Sequence, residues 1–139
     1  MNKELTLLLS LIKAQSVVAK KFDRLYLHGL GVSDFMVLCI LRNSPGKQCR
    51  RIDLAHHMSL SASGITRLLL PMEKTGLIAR QSNARDARVS IVVLTESGEQ
   101  IFEEASKTSE QLATATLPHL KSSQFEHIMS ILKELNADF

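Results

Sequence analysis

A short charged segment between two β-prone runs most strongly limits the folds open to this chain. The segment is NARDAR (83–88), and it separates LIARQS (77–82) from VSIVVLT (89–95). The two runs predict paired strands, and their connection is longer than a minimal hairpin turn, so it should project from the sheet. Thr95 then starts a helix with a Glu-rich beginning, which suits the positive end of the helix dipole. The sequence therefore predicts a hairpin with a charged tip and a helix directly behind it.

Two shorter helices are predicted before the hairpin. Residues 50–58, RRIDLAHHM, predict a short helix that buries Ile52, Leu54 or Ala55, and Met58. Ser61 is a good N-cap for a longer helix, and Gly76 stands where a C′ glycine belongs. Pro71 lies inside this second helix and should kink or shorten its last turn. Two helices joined by a tight turn, the second polar in its first half, are typical of a helix-turn-helix, and the hairpin behind them predicts a winged helix.

The remaining apolar periodicity predicts four further helices. Residues 3–27 form the first, which is apolar on two sides and therefore must bury both. A second helix is expected over 34–44 with Ser33 as its cap, a third over 95–117, and a fourth over 121–136. The expected fold class is thus mainly α with a small β-hairpin wing (α+β), in the order helix, helix, helix, helix, strand, strand, helix, helix.

Composition agrees with one globular domain. The chain has 139 residues, of which 45% are hydrophobic and only 4% aromatic, so the core should be aliphatic. No apolar run approaches the length of a membrane span, and no signal peptide is recognisable, so we expect a cytoplasmic protein without a membrane partner. The two cysteines, Cys39 and Cys49, match neither a disulfide framework nor a CxxC zinc site.

The positive charge is concentrated in the middle of the chain. Residues 42–90 hold nine Lys or Arg against three acids, a net charge of +6, whereas the rest holds eight against eleven, a net charge of −3. Segregation of this kind suggests that the middle of the chain faces a polyanion. A solvated basic surface would give the same count.

Five motifs together resemble the MarR (multiple-antibiotic-resistance regulator) family of winged helix-turn-helix transcription regulators. They are DLA in the first helix of the motif, S-x-S-x-I-T-R at the start of the second, MEKTGLI-x-R leading into the first strand, D-x-R in the wing and LTESG at the following helix. The resemblance implies one MarR-like domain over 1–139. Within it, 32–99 would form the DNA-binding part, and the dimerisation helices would lie at 3–27 and 100–136. Ser59, Gly64 and the Arg50–Arg51 pair depart from the family pattern.

The resemblance and the residue chemistry together predict a DNA-binding surface. Hydroxyl groups suit phosphates and base edges, and arginine can pair with guanine or enter a minor groove. Each candidate has a structural alternative: a cap for Ser61, a local ion pair between Asp86 and Arg88, and a solvated surface for the other arginines. By the resemblance, Arg88 is the better minor-groove candidate. The predicted DNA-binding residues are Arg50, Arg51, Ser61, Ser63, Thr66, Arg67, Arg85, Asp86 and Arg88.

The family resemblance further implies a homodimer on a pseudo-palindromic operator of double-stranded DNA, with repression as the commoner behaviour. An anionic or phenolic effector would bind between the helix at 34–44, the loop around His28 and the start of the helix after Thr95. No catalytic constellation or metal motif is recognisable, so we expect neither an enzyme nor a cofactor. Two alternatives stay open: a winged helix that binds protein instead of DNA, and a thiol sensor that uses Cys39 or Cys49. The adjacent Arg50 and Arg51 would lower the pKa of Cys49.

Overall fold

The computed structural model describes all 139 residues. They form two compact units, Met1–Ser109 and Glu110–Phe139, whose boundary falls within a long helix. In chain order the elements are α1 (Lys3–Lys21), a 3₁₀ segment (Phe22–His28), α2 (Val32–Asn43), a 3₁₀ turn (Pro45–Lys47), β1 (Gln48–Arg50), α3 (Arg51–His57), α4 (Ala62–Lys74), β2 (Ile78–Ser82), β3 (Ser90–Leu94), α5 (Glu96–Thr116) and α6 (Ser122–Glu134). The predicted fold class, mainly helical with a small winged sheet, is confirmed.

The sheet has three antiparallel strands in the order β1-β3-β2. The predicted hairpin is present, with Ile78 opposite Leu94 and Ser82 opposite Ser90. The first strand, β1, was absent from the sequence prediction, which had only two strands. A three-residue strand between a turn and a helix is too short to show an alternating pattern. Its pairing sets Arg50 opposite Ile91, so the start of α3 lies beside the wing strand β3.

An aliphatic core lies between α2, α3, α4 and the sheet, as the low aromatic content predicted. Apolar side chains removed from water supply most of the favourable folding free energy. Leu54 and Ala55 supply the buried face of α3, as predicted, whereas the prediction for Ile52 is wrong because this side chain is 69% exposed. The largest fully buried side chains are Leu25, Val37, Leu38, Leu41, Leu54, Ile65, Ile78 and Val92.

Two predicted helix boundaries are corrected. The first helix is α-helical only to Lys21 and continues as a 3₁₀ segment to His28, where Gly29 adopts a left-handed conformation with φ of 72°. The second begins at Val32, so Ser33 lies inside it rather than at its cap. The backbone N–H of Gly31 donates instead to Asp34 Oδ2 at 2.8 Å. No single helix is both long and apolar enough to cross a membrane, and only a bent pair, Lys3–His28 with Val32–Asn43, passes on length and composition.

The long helix α4 continues through Pro71 to Lys74, so the expected shortening of its last turn does not occur. Proline removes only its own donor, and the next turn still closes through Thr75 N–H to Pro71 O at 3.0 Å. Gly76 follows with φ of 78°, as predicted for a C′ glycine.

The start of α5 is fixed tightly against the start of β2. The hydroxyl of Thr95 accepts a hydrogen bond from Gly98 N–H at 3.0 Å, which caps the helix. The same hydroxyl lies 2.6 Å from Gly76 O and donates to this turn. Gly98 is buried, and a Cβ at this position would overlap the Leu77 carbonyl. The glycine of the LTESG motif is therefore required by close packing of helix against strand.

Candidate nucleic-acid interface

The second helix of the motif, α4, has one buried and one exposed side. Ile65, Leu69 and Met72 recur at helical spacing and are buried. Ser63 and Arg67 lie on the exposed side. Because the buried side fixes the rotation of the helix, the polar side of its first turns must face solvent. The polar side chains of these turns are therefore accessible to a ligand outside the protein.

Two hydroxyl groups of α4 are already engaged within the helix. Ser61 Oγ accepts from Gly64 N–H at 3.0 Å and so acts as the N-cap, and it lies 3.2 Å from Ser63 Oγ. Thr66 Oγ1 donates to Ala62 O at 2.9 Å. These hydroxyls retain acceptor capacity only in part, so Arg67 is the freest candidate for contact on this side of α4.

Arg67 carries an unneutralised charge at the centre of the exposed side. It is exposed and forms no ion pair with any acidic side chain. A guanidinium without a carboxylate partner keeps its donors available for a base edge or a phosphate.

The wing between β2 and β3 is shaped by its own polar side chains. Asn83 Oδ1 accepts from Arg85 N–H at 2.8 Å, and Asp86 Oδ1 accepts from Arg88 N–H at 3.0 Å. The guanidinium of Arg88 also donates to Asp86, at 3.2 and 3.4 Å. The side-chain and backbone hydrogen bonds from Arg88 lower the pKa of Asp86. The Arg88 side chain is nevertheless 92% exposed, so it remains available to a ligand.

Arg50 and Arg51, at the start of α3, have different partners. Arg50 donates twice to Asp53, at 2.9 and 3.1 Å, and these hydrogen bonds hold the pKa of Asp53 below its usual range. Arg51 Nη1 instead donates to Thr66 Oγ1 at 2.6 Å. Arg51 therefore joins α3 to the exposed side of α4.

A cleft of about 280 Å³ separates the start of α3 from the wing strand. We call it the arginine cleft. No pattern in the sequence predicted this cleft, because its two walls are brought together by β1, which is too short to show an alternating pattern. Its lining residues are Arg50, Arg51, Ile52, Arg88, Val89 and Ser90.

A second, more apolar groove of about 370 Å³ lies between α3 and α4. Ile52 and Leu60, exposed by 69% and 39%, form part of its lining together with Ala55 and Ile65. Arg51 borders both this groove and the arginine cleft.

Two of the three walls predicted for an effector pocket contact each other in the first unit. Phe35 of α2 stacks on Phe102, which lies near the start of α5, with ring centroids 5.6 Å apart. His28 Nε2 lies 2.8 Å from Thr108 Oγ1, which is in the middle of α5 and not at its start. An effector between α2 and the start of α5 would therefore have to separate the two phenylalanine rings.

The prediction of a lowered pKa for Cys49 is wrong. Burial raises the pKa of this thiol, and the charge of Asp53 adds to the effect, although a backbone hydrogen bond from Leu54 opposes it. Burial also raises the pKa of Cys39, to about 11. A thiolate is the reactive species, so neither thiol is activated. No group of three or more His, Cys, Asp or Glu side chains is arranged to hold a metal ion.

Comparison with known proteins finds MarR-like relatives. Residues 30–90 match the model of the MarR family. This part of the chain is MarR-like. Over 134 residues it is 22% identical to YdgJ, an uncharacterized HTH-type transcriptional regulator of Bacillus subtilis (strain 168), covering 96% of this chain and 79% of YdgJ.

Two solved structures of transcriptional regulators share the fold. Sco3205, a MarR family transcriptional regulator from Streptomyces coelicolor in complex with DNA, has a TM-score of 0.86 and 21% identity, covering 98% of this chain and 88% of that one. The organohalide-sensing regulator RdhR, bound to 2,4-dichlorophenol, has a TM-score of 0.83 and 18% identity, covering 97% and 80%. The predicted resemblance to the MarR family and the predicted class, a DNA-binding transcription regulator, are confirmed, whereas the individual contact residues stay predictions.

Proposed function

We propose that this MarR-like protein is a sequence-specific repressor that binds a pseudo-palindromic operator as a homodimer and releases it on binding an effector. One observation carries the DNA-binding geometry. Thr66 of α4 bonds Arg51 of α3, Arg51 borders the arginine cleft, and Arg88 of the wing forms the opposite side of that cleft. The exposed side of α4, the start of α3 and the wing thus form one continuous basic surface.

Each part of this surface has a role in the proposed complex. The first turns of α4 enter the major groove, where Ser63 and Arg67 contact base edges. The wing follows the backbone towards the adjacent minor groove, with Arg85 and Arg88 as its charged contacts. Asp86 orients the wing loop. The relative Sco3205 was solved in complex with DNA, which supports this use of the fold.

Unpartnered apolar faces support the dimer. None of the 19 residues of α1 is buried, and Leu5, Leu8 and Ile12 are exposed by 45%, 44% and 65%. In the second unit, Phe125 and Ile128 of α6 are half exposed. Large exposed apolar faces are characteristic of interaction surfaces. We therefore assign 3–27 and 100–136 to the dimer interface and 32–99 to DNA binding, within one functional domain.

The effector we propose is a small anionic or phenolic compound that binds among α2, the segment around His28 and the start of α5. The relative RdhR was solved with a chlorinated phenol, which supports the phenolic class. Such a ligand changes DNA affinity only if it binds the two arrangements of the dimer with different affinity.

The decisive experiment is selection of bound sequences from random duplex DNA at near-physiological salt, with sedimentation analysis of the same sample. We expect a dimer and a two-fold symmetric motif, with half-sites about one helical turn apart. A reporter gene placed behind that motif should be repressed by the protein. Salt-sensitive binding without an enriched motif would contradict sequence specificity. Absence of binding even at low salt would favour a protein-interaction module.

A further inference from the structure

The arginine cleft is lined by three cations and by no anion. Asp53 and Asp86, which pair with Arg50 and Arg88, do not contribute to its lining. Arg51 has no acidic partner at all. Like charges held close together across a cleft repel one another, so a bound anion would stabilise this arrangement.

The three guanidinium groups keep unused donors. Arg50 and Arg88 each donate to a carboxylate through Nε and Nη2, which leaves Nη1 without a partner in both. Arg51 uses Nη1 for Thr66 and keeps its other nitrogens. Several N–H groups in a fixed planar fork are the arrangement that binds phosphate oxygens.

Ser90 adds a feature of the arginine cleft that is independent of the three arginines. Its Oγ is shielded from solvent and has no hydrogen-bond partner, although Ser90 lines the arginine cleft. A shielded hydroxyl without a partner is destabilising, and such groups in native proteins are uncommon. Rotation about the Cα–Cβ bond of Ser90 would turn this hydroxyl into the cleft, where an anion would accept the hydrogen bond that it otherwise lacks.

We propose that the arginine cleft binds one phosphodiester group of the DNA backbone, between the segment contacted by α4 and the segment contacted by the wing. This inference rests on the proposed DNA-binding function and adds a specific backbone contact to it. It gives Arg88 a phosphate in place of the minor groove, which leaves Arg85 as the minor-groove candidate. Through the Arg51–Thr66 bond, the bound phosphate would fix α4 in register with the wing.

The test is a scan of the selected duplex with single methylphosphonates, which remove the charge of one phosphate at a time. For the wild-type protein, one position per half-site should weaken binding about tenfold, as expected for hydrogen bonds to a charged group. Ser90→Ala and Arg51→Met should weaken binding to the natural duplex and lose most of the penalty at that same position.

Arg80→Ala is the matched control. Arg80 lies on β2, pairs with Glu73 at 3.3 Å and does not line the arginine cleft. This variant also removes one guanidinium from the wing sheet, but it should keep the full methylphosphonate penalty.

Ser90→Ala also separates binding from folding. Because this change removes a shielded hydroxyl without a partner, the melting temperature should stay the same or rise while DNA affinity falls about tenfold. Arg51→Met also breaks the hydrogen bond to Thr66, so a loss of DNA affinity in this variant does not report on the cleft alone.

The inference is overturned if Ser90→Ala binds natural DNA like the wild type, or if every variant keeps the wild-type penalty at every position. In either case the wild-type protein would still bind its operator, so the proposed function would survive. If the wild type binds no DNA, both conclusions fall together.

Discussion

Substitution of Gly98 by alanine tests how the DNA-binding part is joined to α5. A Cβ at this position would overlap the backbone carbonyl oxygen of Leu77 and lie 2.8 Å from Leu94 Cδ1. The carbonyl cannot rotate away like a side chain. It accepts a hydrogen bond from Thr95 N–H at 3.2 Å, and the Thr95 hydroxyl lies 2.9 Å from it. Relief of the overlap must therefore move α5 away from the start of β2.

Three contributions set the size of the effect. Overpacking in a filled site costs about 1–3 kcal/mol, and a backbone obstacle favours the upper end. Loss of the hydrogen bond to Leu77 O costs about 1 kcal/mol more. Alanine is favoured over glycine inside a helix by about 1 kcal/mol, which offsets part of the loss. We expect a net loss of about 2–3 kcal/mol in the free energy of unfolding, or about 8–12 °C in melting temperature for a chain of this size.

Gly64→Ala is the matched control in α4. Its Cβ would lie 3.1 Å from Ser61 Oγ and 3.5 Å from Leu60 Cβ, both in side chains that can adjust. The helix-propensity gain should roughly cancel the crowding, so we expect a change within about 1 kcal/mol. Urea unfolding followed by circular dichroism, at one fixed protomer concentration, measures both variants. Equal stability of Gly98→Ala and the wild type, or equal losses in the two variants, would refute the packing argument.

Four further outcomes are expected. Arg67→Ala should cost about 1–3 kcal/mol on the selected operator and relax specificity at one base pair, and equal losses on random DNA would make Arg67 a phosphate contact. Arg88→Ala should weaken binding to all duplexes and reduce the salt slope by about one, measured by salt-titrated binding. The hydrogen bond from Lys47 lowers the pKa of Glu99, so the ionised Glu99 stabilises the fold above the usual glutamate pKa. This stabilisation is lost as the pH falls through the lowered pKa, and the free energy of unfolding of Glu99→Gln should therefore fall less steeply with acid than that of the wild type. Since the pKa of Cys49 is raised, iodoacetamide should label it more slowly than a free cysteine at neutral pH, and rapid labelling would revive the thiol-sensor alternative.

Features with a local cause were predictable from the sequence. Ser61 caps the beginning of α4 and Gly76 follows its end, as predicted, because capping depends on a few neighbouring residues. The hairpin followed from two β-prone runs around a polar connection. The resemblance to the MarR family was recognisable from five motifs, which are spread over several helices and strands. In each case the information lies within a few residues of the element that it determines.

Features that depend on pairing between distant segments were not predictable. The strand β1 exists because Gln48 and Arg50 find partners on β3 some forty residues later. The exposure of Ile52 follows from the same pairing, since β1 sets the rotation with which α3 begins. Arg51 was predicted to contact DNA, and its bond to Thr66 appears only once α3 and α4 are packed. The role proposed for Ser90 could not be predicted from the sequence, because it rests on a hydroxyl that has no hydrogen-bond partner in the folded chain.

The start of α5 links the proposed effector region to the DNA-binding surface. Glu99 pairs with Lys47 at 2.7 Å and with Arg42 at 3.1 Å, which ties α5 to the end of α2 and to the turn before β1. Thr95 ties the same turn of α5 to Gly76 at the end of α4. Because β1 leads directly into α3, and α3 and α4 both carry parts of the basic surface, we expect a ligand that displaces the first turns of α5 to move both parts. The geometry of the arginine cleft, and with it the register between α4 and the wing, would then change without any contact between effector and DNA.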